Sequence, residues 1–206
     1  MKDNDLEYEI YGSSSKGNCV RINDVMVDIG LPFSAIHEAL YKVKYILLTH
    51  IHSDHVKPST YRKIRALFPN IKIVGNWEVS QKFPCDEIIN AGYPLKIGGY
   101  IFNAFEAPHN VLVYGYYWTW HEKEIVYVTD TYSLENVPED MKFDYMFLEA
   151  NHDERKIEQI ENKTYGYDAY AGARRHLSIQ QAKAFYLMHK KPDAMWLQLH
   201  KSSRFY

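Results

Sequence analysis

The stretch Leu47-Leu48-Thr49-His50-Ile51-His52-Ser53-Asp54-His55 decides the reading of this chain, because an apolar run closes on three histidines and an aspartate. Imidazole nitrogen and carboxylate oxygen are the donors that borderline divalent cations such as zinc prefer. If the backbone leaves the strand still extended, His50 and His52 share a face by the two-residue period. A turn after them then brings Asp54 and His55 round to a second ion. A histidine-rich surface loop is the alternative, and the apolar residues ahead of the cluster argue against it.

The 206 residues predict one domain, 1–206. Hydrophobic residues make up 46% and charged residues 24%, ordinary globular usage that argues against a disordered, collagen-like or disulfide-scaffold chain. The uncharged apolar runs fall short of the ~18–20 residues that span a bilayer, so no membrane association is expected. The polar start Met1-Lys2-Asp3-Asn4-Asp5 does not read as a secretory signal, and Cys19 and Cys85 are the only cysteines. A cytoplasmic location without a structural disulfide follows as the expectation. With a net charge of −2 the chain lacks the positive field that grips long nucleic acid, so any polyanion must be held locally. The 18 tyrosines offer amphipathic ring surface for a core, a pocket or a homodimer interface.

Short β-branched and aromatic runs predict strands over 8–11, 19–22, 25–29, 45–48, 71–74, 100–106, 111–120, 124–128 and 145–148. Helical spacing predicts helices over 33–43, 58–68, 78–83 and 179–190, the last capped by Ser178 and stopped by Pro192. Several strands are apolar on both faces, which implies sheets covered on each side. The fold class expected is α/β with α+β character: an αββα sandwich of two mixed sheets flanked by helices. Residues 158–175 read as the most mobile segment.

His-x-His-x-Asp-His after an apolar strand resembles the signature of the metallo-β-lactamase fold superfamily. Gly12–Asn18, Val27-Asp28-Ile29-Gly30, Ala107-Pro108-His109, Val126-Tyr127-Val128-Thr129-Asp130 and Leu197-Gln198-Leu199-His200 are similar to its other landmarks, in the same order. The resemblance implies two divalent ions, zinc first and manganese as the alternative. One would sit on His50, His52 and His109, the other on Asp54, His55 and His200, with Asp130 bridging. Two cations about 4 Å apart can share a water, lower its pKa and clamp phosphoryl oxygens. Asp28 is the partner expected to orient a ligating histidine, or else an ordinary turn aspartate.

Leu148-Glu149-Ala150-Asn151-His152-Asp153 and Arg175-His176-Leu177-Ser178 resemble the phosphodiesterase and nuclease branch, related to ribonuclease Z and to small single-domain exonucleases. The resemblance implies His176 as general acid, Glu149 as its partner and Asp54 as a further catalytic group. His109 and Asp130 lie too close in the chain for the long tRNA-gripping arm of ribonuclease Z, and Asn110 departs from the aspartate of the exonucleases. Ser14, Ser15, Lys16 and Asn18 form a loop able to cradle phosphate, or simply a hairpin turn. Tyr165, Tyr167 and Tyr170 with Arg174 and Arg175 can stack a base and neutralise phosphate, or form an interface. Lys201, Ser202, Ser203 and Arg204 can add phosphate contacts, or form a solvated tail. The expected function is hydrolysis of phosphodiesters in nucleic-acid ends or small cyclic nucleotides. Hydrolysis of an ester, thioester or lactam is the alternative, and a ligand-sequestering scaffold the third.

Overall fold

The computed structural model describes residues 6–159, 169–203, 205 and 206. The chain divides after Asn90 into two compact units, and each is built on a six-stranded mixed sheet with helices beside it. In the first unit β1 (Tyr8–Ser14), β2 (Gly17–Ile22), β3 (Val25–Val27), β4 (Tyr45–Leu48), β5 (Lys72–Gly75) and β6 (Glu87–Ile88) lie in sequence order across the sheet. The first three pair antiparallel; from β3 onward pairing is parallel, which requires a crossover between neighbours. α1 (Phe33–Leu40), α2 (Pro58–Leu67) and α3 (Trp77–Lys82) fill those crossovers. Their apolar positions recur at helical spacing, Ile36, Ala39 and Leu40 on α1 and Tyr61 and Ile64 on α2, and pack with Met26, Ile46, Leu48 and Ile73. Every residue of β2, β3 and β4 is buried, as strands apolar on both faces require.

The second unit begins with an antiparallel meander of β7 (Leu95–Ile97), β8 (Tyr100–Ala107), β9 (Val113–Trp120) and β10 (Lys123–Val128). Gly98 and Gly99, both at positive φ, make the two-residue turn between β7 and β8. The sheet is completed by β11 (Phe143–Glu149) and β12 (Lys190–Leu199), each parallel to its neighbour. Between these two strands lie α4 (Glu154–Glu158), α5 (Ala169–Ala173) and α6 (Ile179–His189). Phe105, Val126, Phe143, Met146, Leu148 and Phe185 form the core of this unit.

Several expected boundaries move, each for a local reason. β3 stops at Val27 because Asp28 takes a left-handed backbone, φ 61°. β9 starts at Val113, after a bend that follows His109. Pro192 lies inside β12 instead of ending a helix in a loop. The register jumps there from Phe143 opposite Lys190 to Tyr145 opposite Met195, an irregular stretch that absorbs the missing proline N–H and Asp193 at φ 63°. β6, β7, α4 and α5 carry too few residues to leave a periodic signal. α5 lies within the 158–175 segment, of which residues 160–168 lie outside the described residues. Among the described residues no helix is long and apolar enough to cross a membrane.

α6 begins as the sequence predicts. The Ser178 hydroxyl accepts the Gln181 N–H at 3.0 Å, and the Gln181 side-chain oxygen accepts the Ser178 N–H at 2.9 Å, a complete capping box. Ser178→Ala is expected to lower stability by about 1 kcal/mol. Urea denaturation should record this as a lower midpoint with an unchanged slope.

Candidate metal centre

In the first unit the histidine-rich stretch leaves β4 at Leu48 and turns within Ser53–His55. Asp28 organises it. Its Oδ1 accepts the Thr49 N–H at 2.9 Å, and its Oδ2 accepts the Thr49 hydroxyl at 2.9 Å and the His55 Nδ1–H at 2.7 Å. Burial pushes this carboxyl above the usual aspartate range, and the His55 and Thr49 contacts offset the effect only in part. With Nδ1 engaged, the His55 Nε2 presents its lone pair, 3.7 Å from the Asp54 carboxylate and 2.8 Å from the Asn18 amide nitrogen. His50 Nε2 and His52 Nδ1 stand 2.9 Å apart, a spacing that a shared proton or a shared cation accounts for.

Backbone groups hold this loop in place. The Asn18 N–H donates to the Asp54 carbonyl at 2.7 Å and the Ile29 N–H to the His55 carbonyl at 2.8 Å. Gly30 passes so close that a Cβ there would fall 1.7 Å from the Asp54 carbonyl oxygen, which no side chain permits.

In the second unit the candidate residues sit at or just beyond strand ends: His109 after β8, Asp130 after β10, Glu149 closing β11 and His200 after β12. Asp130 and His200 adopt left-handed backbones, φ 56° and 50°. Glu149 is fully buried and accepts four hydrogen bonds. Its Oε1 takes the Nδ1–H of His176 and of His200, both at 2.7 Å; its Oε2 takes the Thr131 N–H at 2.9 Å and the Leu177 N–H at 3.3 Å. Burial alone would raise its pKa, yet the two imidazoles outweigh burial and hold the carboxyl below its ordinary value. Asp130 Oδ1 lies 3.9 Å from Nδ1 of both histidines. His109 donates from Nδ1 to the Arg175 carbonyl at 3.3 Å, and burial holds its pKa down, which keeps the ring neutral.

This donor chemistry fits a divalent cation. His55, His109 and His200 each have Nδ1 committed to an oxygen acceptor, the arrangement that fixes the tautomer and leaves Nε2 for a metal. Asp130, Glu149, His176 and His200 offer ligand atoms within 4.8 Å of one another. The bond from Glu149 to His200 escapes a reading of motifs one at a time. The parallel register of Glu149 with Leu199 places the next residue, His200, beside it. Thr49, whose hydroxyl also reaches His50 Nδ1 at 3.0 Å, makes a second contact to the candidate ligands that the motifs alone do not reveal.

The expected substrate contacts are placed unevenly. Ser14 closes β1, Ser15 and Lys16 form the exposed turn to β2, and the Lys16 N–H bonds the Ser14 hydroxyl at 3.2 Å. Asn18 is fully buried, and its amide nitrogen bonds the Ser14 carbonyl at 3.1 Å as well as reaching His55, so it serves the loop and the imidazole. Tyr170 and Arg174 line a cavity together with His176. Ser203 is exposed; the Ser202 N–H bonds the Asn151 carbonyl at 2.8 Å. Tyr165, Tyr167 and Arg204 lie outside the described residues.

Comparison with solved structures fits this architecture to the metallo-β-lactamase fold. YhfI of Bacillus subtilis, a metallo-β-lactamase fold protein, matches with a TM-score of 0.70 at 16% identity over 96% of this chain and 87% of its own. The short form of human tRNase Z matches at 0.68 and 16% identity, over 96% and 93%. A diphosphatase of the PhnP family matches at 0.71 and 16% identity, over 98% and 89%. The chain therefore has the metallo-β-lactamase fold. Among curated proteins, hydroxyacylglutathione hydrolase of Klebsiella pneumoniae is 32% identical over 103 residues, 48% of this chain. That match spans only 38% of the relative's own length. No family model matches the chain.

Two substitutions test the site. Gly30→Ala must displace the Asp54 carbonyl and with it His55, so metal retained after chelator challenge should fall sharply. Glu149→Gln cannot accept four donors, because its NH₂ must face either the backbone N–H pair or the imidazole pair. Metal affinity should drop by about 10–100-fold, read by competition with a chromogenic chelator.

Proposed function

We propose that this protein is a metal-dependent hydrolase of phosphodiesters, acting on nucleic-acid ends or on small nucleotides. His50, His52, Asp54, His55, His109, Asp130 and His200 are its metal ligands on this reading, for two divalent ions, zinc first and manganese second. Such ions supply Lewis-acid stabilisation of phosphoryl oxygens and acidify a water. The chain's own residues supply orientation and a proton. Asp28 and Glu149 fix the imidazoles of His55 and His200, and Glu149 also fixes His176.

The observation that carries this reading is the Glu149–His176 pair. His176 is only partly buried, its Nδ1 is held at 2.7 Å by a fully buried carboxylate, and it shares a cavity wall with the Arg174 guanidinium. With Nδ1 held by that carboxylate, Nε2 is the ring atom left to deliver a proton to a departing oxygen. A nucleoside alkoxide is a strong base and needs that proton, whereas a thiolate, with a pKa near ~8.5, leaves without one. The guanidinium beside it suits phosphate.

A second reading is thioester hydrolysis, favoured by the partial match to hydroxyacylglutathione hydrolase. The two separate on a panel of labelled DNA and RNA, cyclic nucleotides, bis(p-nitrophenyl) phosphate and a hydroxyacyl thioester of glutathione, each with zinc or manganese. Phosphodiester turnover is expected; turnover of the thioester alone would reverse the ranking. His176→Ala should slow cleavage of a nucleoside alkoxide by about 10²–10⁴-fold. It should slow release of p-nitrophenolate, a far better leaving group, much less. Equal losses on both substrates would remove the general-acid role.

A further inference from the structure

Within the second unit a cavity of about 370 Å³ opens beside His176, with Tyr132, His152, Tyr170, Arg174 and Gln181 in its wall. Small-molecule sites run from about 300 to 1,000 Å³, so this volume suits one nucleoside-sized group and not a stretch of strand. The Arg174 guanidinium lies 5.6 Å from the centre of the Tyr170 ring, close enough for the two to act as one cationic, aromatic platform.

Three of the polar groups in the wall have a definite sense, while the carboxylates of Glu154 and Glu158, also in the wall, offer acceptors to the exocyclic amine of a base. His152 is buried, and its Nδ1 is sealed from solvent with no hydrogen-bond partner among the described residues. A buried orphan N–H costs more than an orphan lone pair, so the single proton of the neutral ring belongs on Nε2. That leaves Nε2–H as the group the ring can offer to the cavity. Gln181 is constrained in the same direction: its side-chain oxygen is occupied by the Ser178 N–H at 2.9 Å, so only its NH₂ remains to donate. With Arg174, which has donors only, the wall presents three sets of donors beside an aromatic ring. A nucleobase, with a stacking face and carbonyl and ring-nitrogen acceptors, answers both features.

We infer that this cavity seats the nucleoside that carries the leaving oxygen, a proposal that rests on the phosphodiester reading above. Position gives the assignment. The residue that delivers the proton forms part of the wall, so the group attached to the departing oxygen extends from His176 into the cavity. Tyr170 and Arg174 stack the base, and His152 and Gln181 donate to its acceptors. The same nucleoside chemistry is offered by the end of a nucleic acid and by a cyclic nucleotide.

Titration calorimetry with free cytidine and free adenosine, which have no phosphate, tests the seat directly on the metal-loaded protein. Wild type should bind one equivalent saturably, and Tyr170→Ala and His152→Phe should each weaken binding about tenfold. Circular dichroism confirms that each variant is folded, and the two changes at separate points of the wall guard against loss of one variant. In kinetics, the KM for dinucleoside monophosphates should rise about tenfold more in these variants than the KM for bis(p-nitrophenyl) phosphate. A matching rise with cyclic mononucleotides would identify those as the source, and a rise confined to dinucleotides would identify strand ends. Equal changes for all substrates, or no nucleoside binding by wild type, would overturn the assignment. Nucleoside binding without phosphodiester turnover would uphold the seat and sink the reading beneath it; turnover without nucleoside binding would do the reverse.

Discussion

Glu149 gathers four N–H donors in a place closed to water, and the arrangement of the second unit turns on that one carboxylate. Two donors are backbone groups, Thr131 after β10 and Leu177 ahead of α6; two are the imidazoles of His176 and His200. Remove the acceptor and each donor becomes an unsatisfied buried group, at about 1–3 kcal/mol apiece. The same carboxylate therefore ties the loop after β10, the start of α6 and the end of β12 to a common point. Asp28 does for the first unit, with one imidazole and one threonine, what Glu149 does for the second with two imidazoles. The difference in donor number has an electrostatic echo. Burial wins at Asp28 and lifts its pKa, while the imidazoles win at Glu149 and lower it.

Strand ends are where this fold places its chemistry, and the backbone shows how they are aimed. Asp28, Asp130 and His200 all take positive φ, which non-glycine residues adopt at a cost of about 1–3 kcal/mol each. Asp28 and Asp130 follow strands that end in buried residues, and His200 follows the edge strand β12, whose last residue, Leu199, is buried. The left-handed residue breaks the alternation of the strand and redirects the next side chain. The cost is met by packing, since β3 and the C-terminal half of β10 carry no exposed residue.

Much of this was legible in the sequence, and the reasons differ by element. The buried strands β4 and β10 and the capped helix α6 carry local signals: apolar runs, and Ser178 three residues before Gln181. The His50–His55 cluster is dense enough to declare its chemistry without a structure. What stayed hidden depends on pairings distant in the chain. Glu149 reaches His200 only because β11 and β12 run parallel in a particular register, and His109 is held by a backbone carbonyl that any residue at 175 would supply. Asn18 reads as a loop residue free to meet a ligand; the hairpin of β1 and β2 instead buries it against His55. Pro192 reads as a helix stop, and a strand irregularity accommodates it.

The loop of His50–His55 is pinned by main-chain bonds from Asn18 and Ile29 and by the close passage of Gly30. None of these contacts depends on the side chains of Ile51 or Ser53. The loop's shape and the identity of the groups it displays are thus separately encoded. A chain built this way can exchange the displayed side chains, and with them the preferred cation or the reaction, while the hairpin and the glycine keep the same trace. The scaffold is evolvable at positions where its chemistry resides, and is held by a glycine and by main-chain bonds that perform none of it.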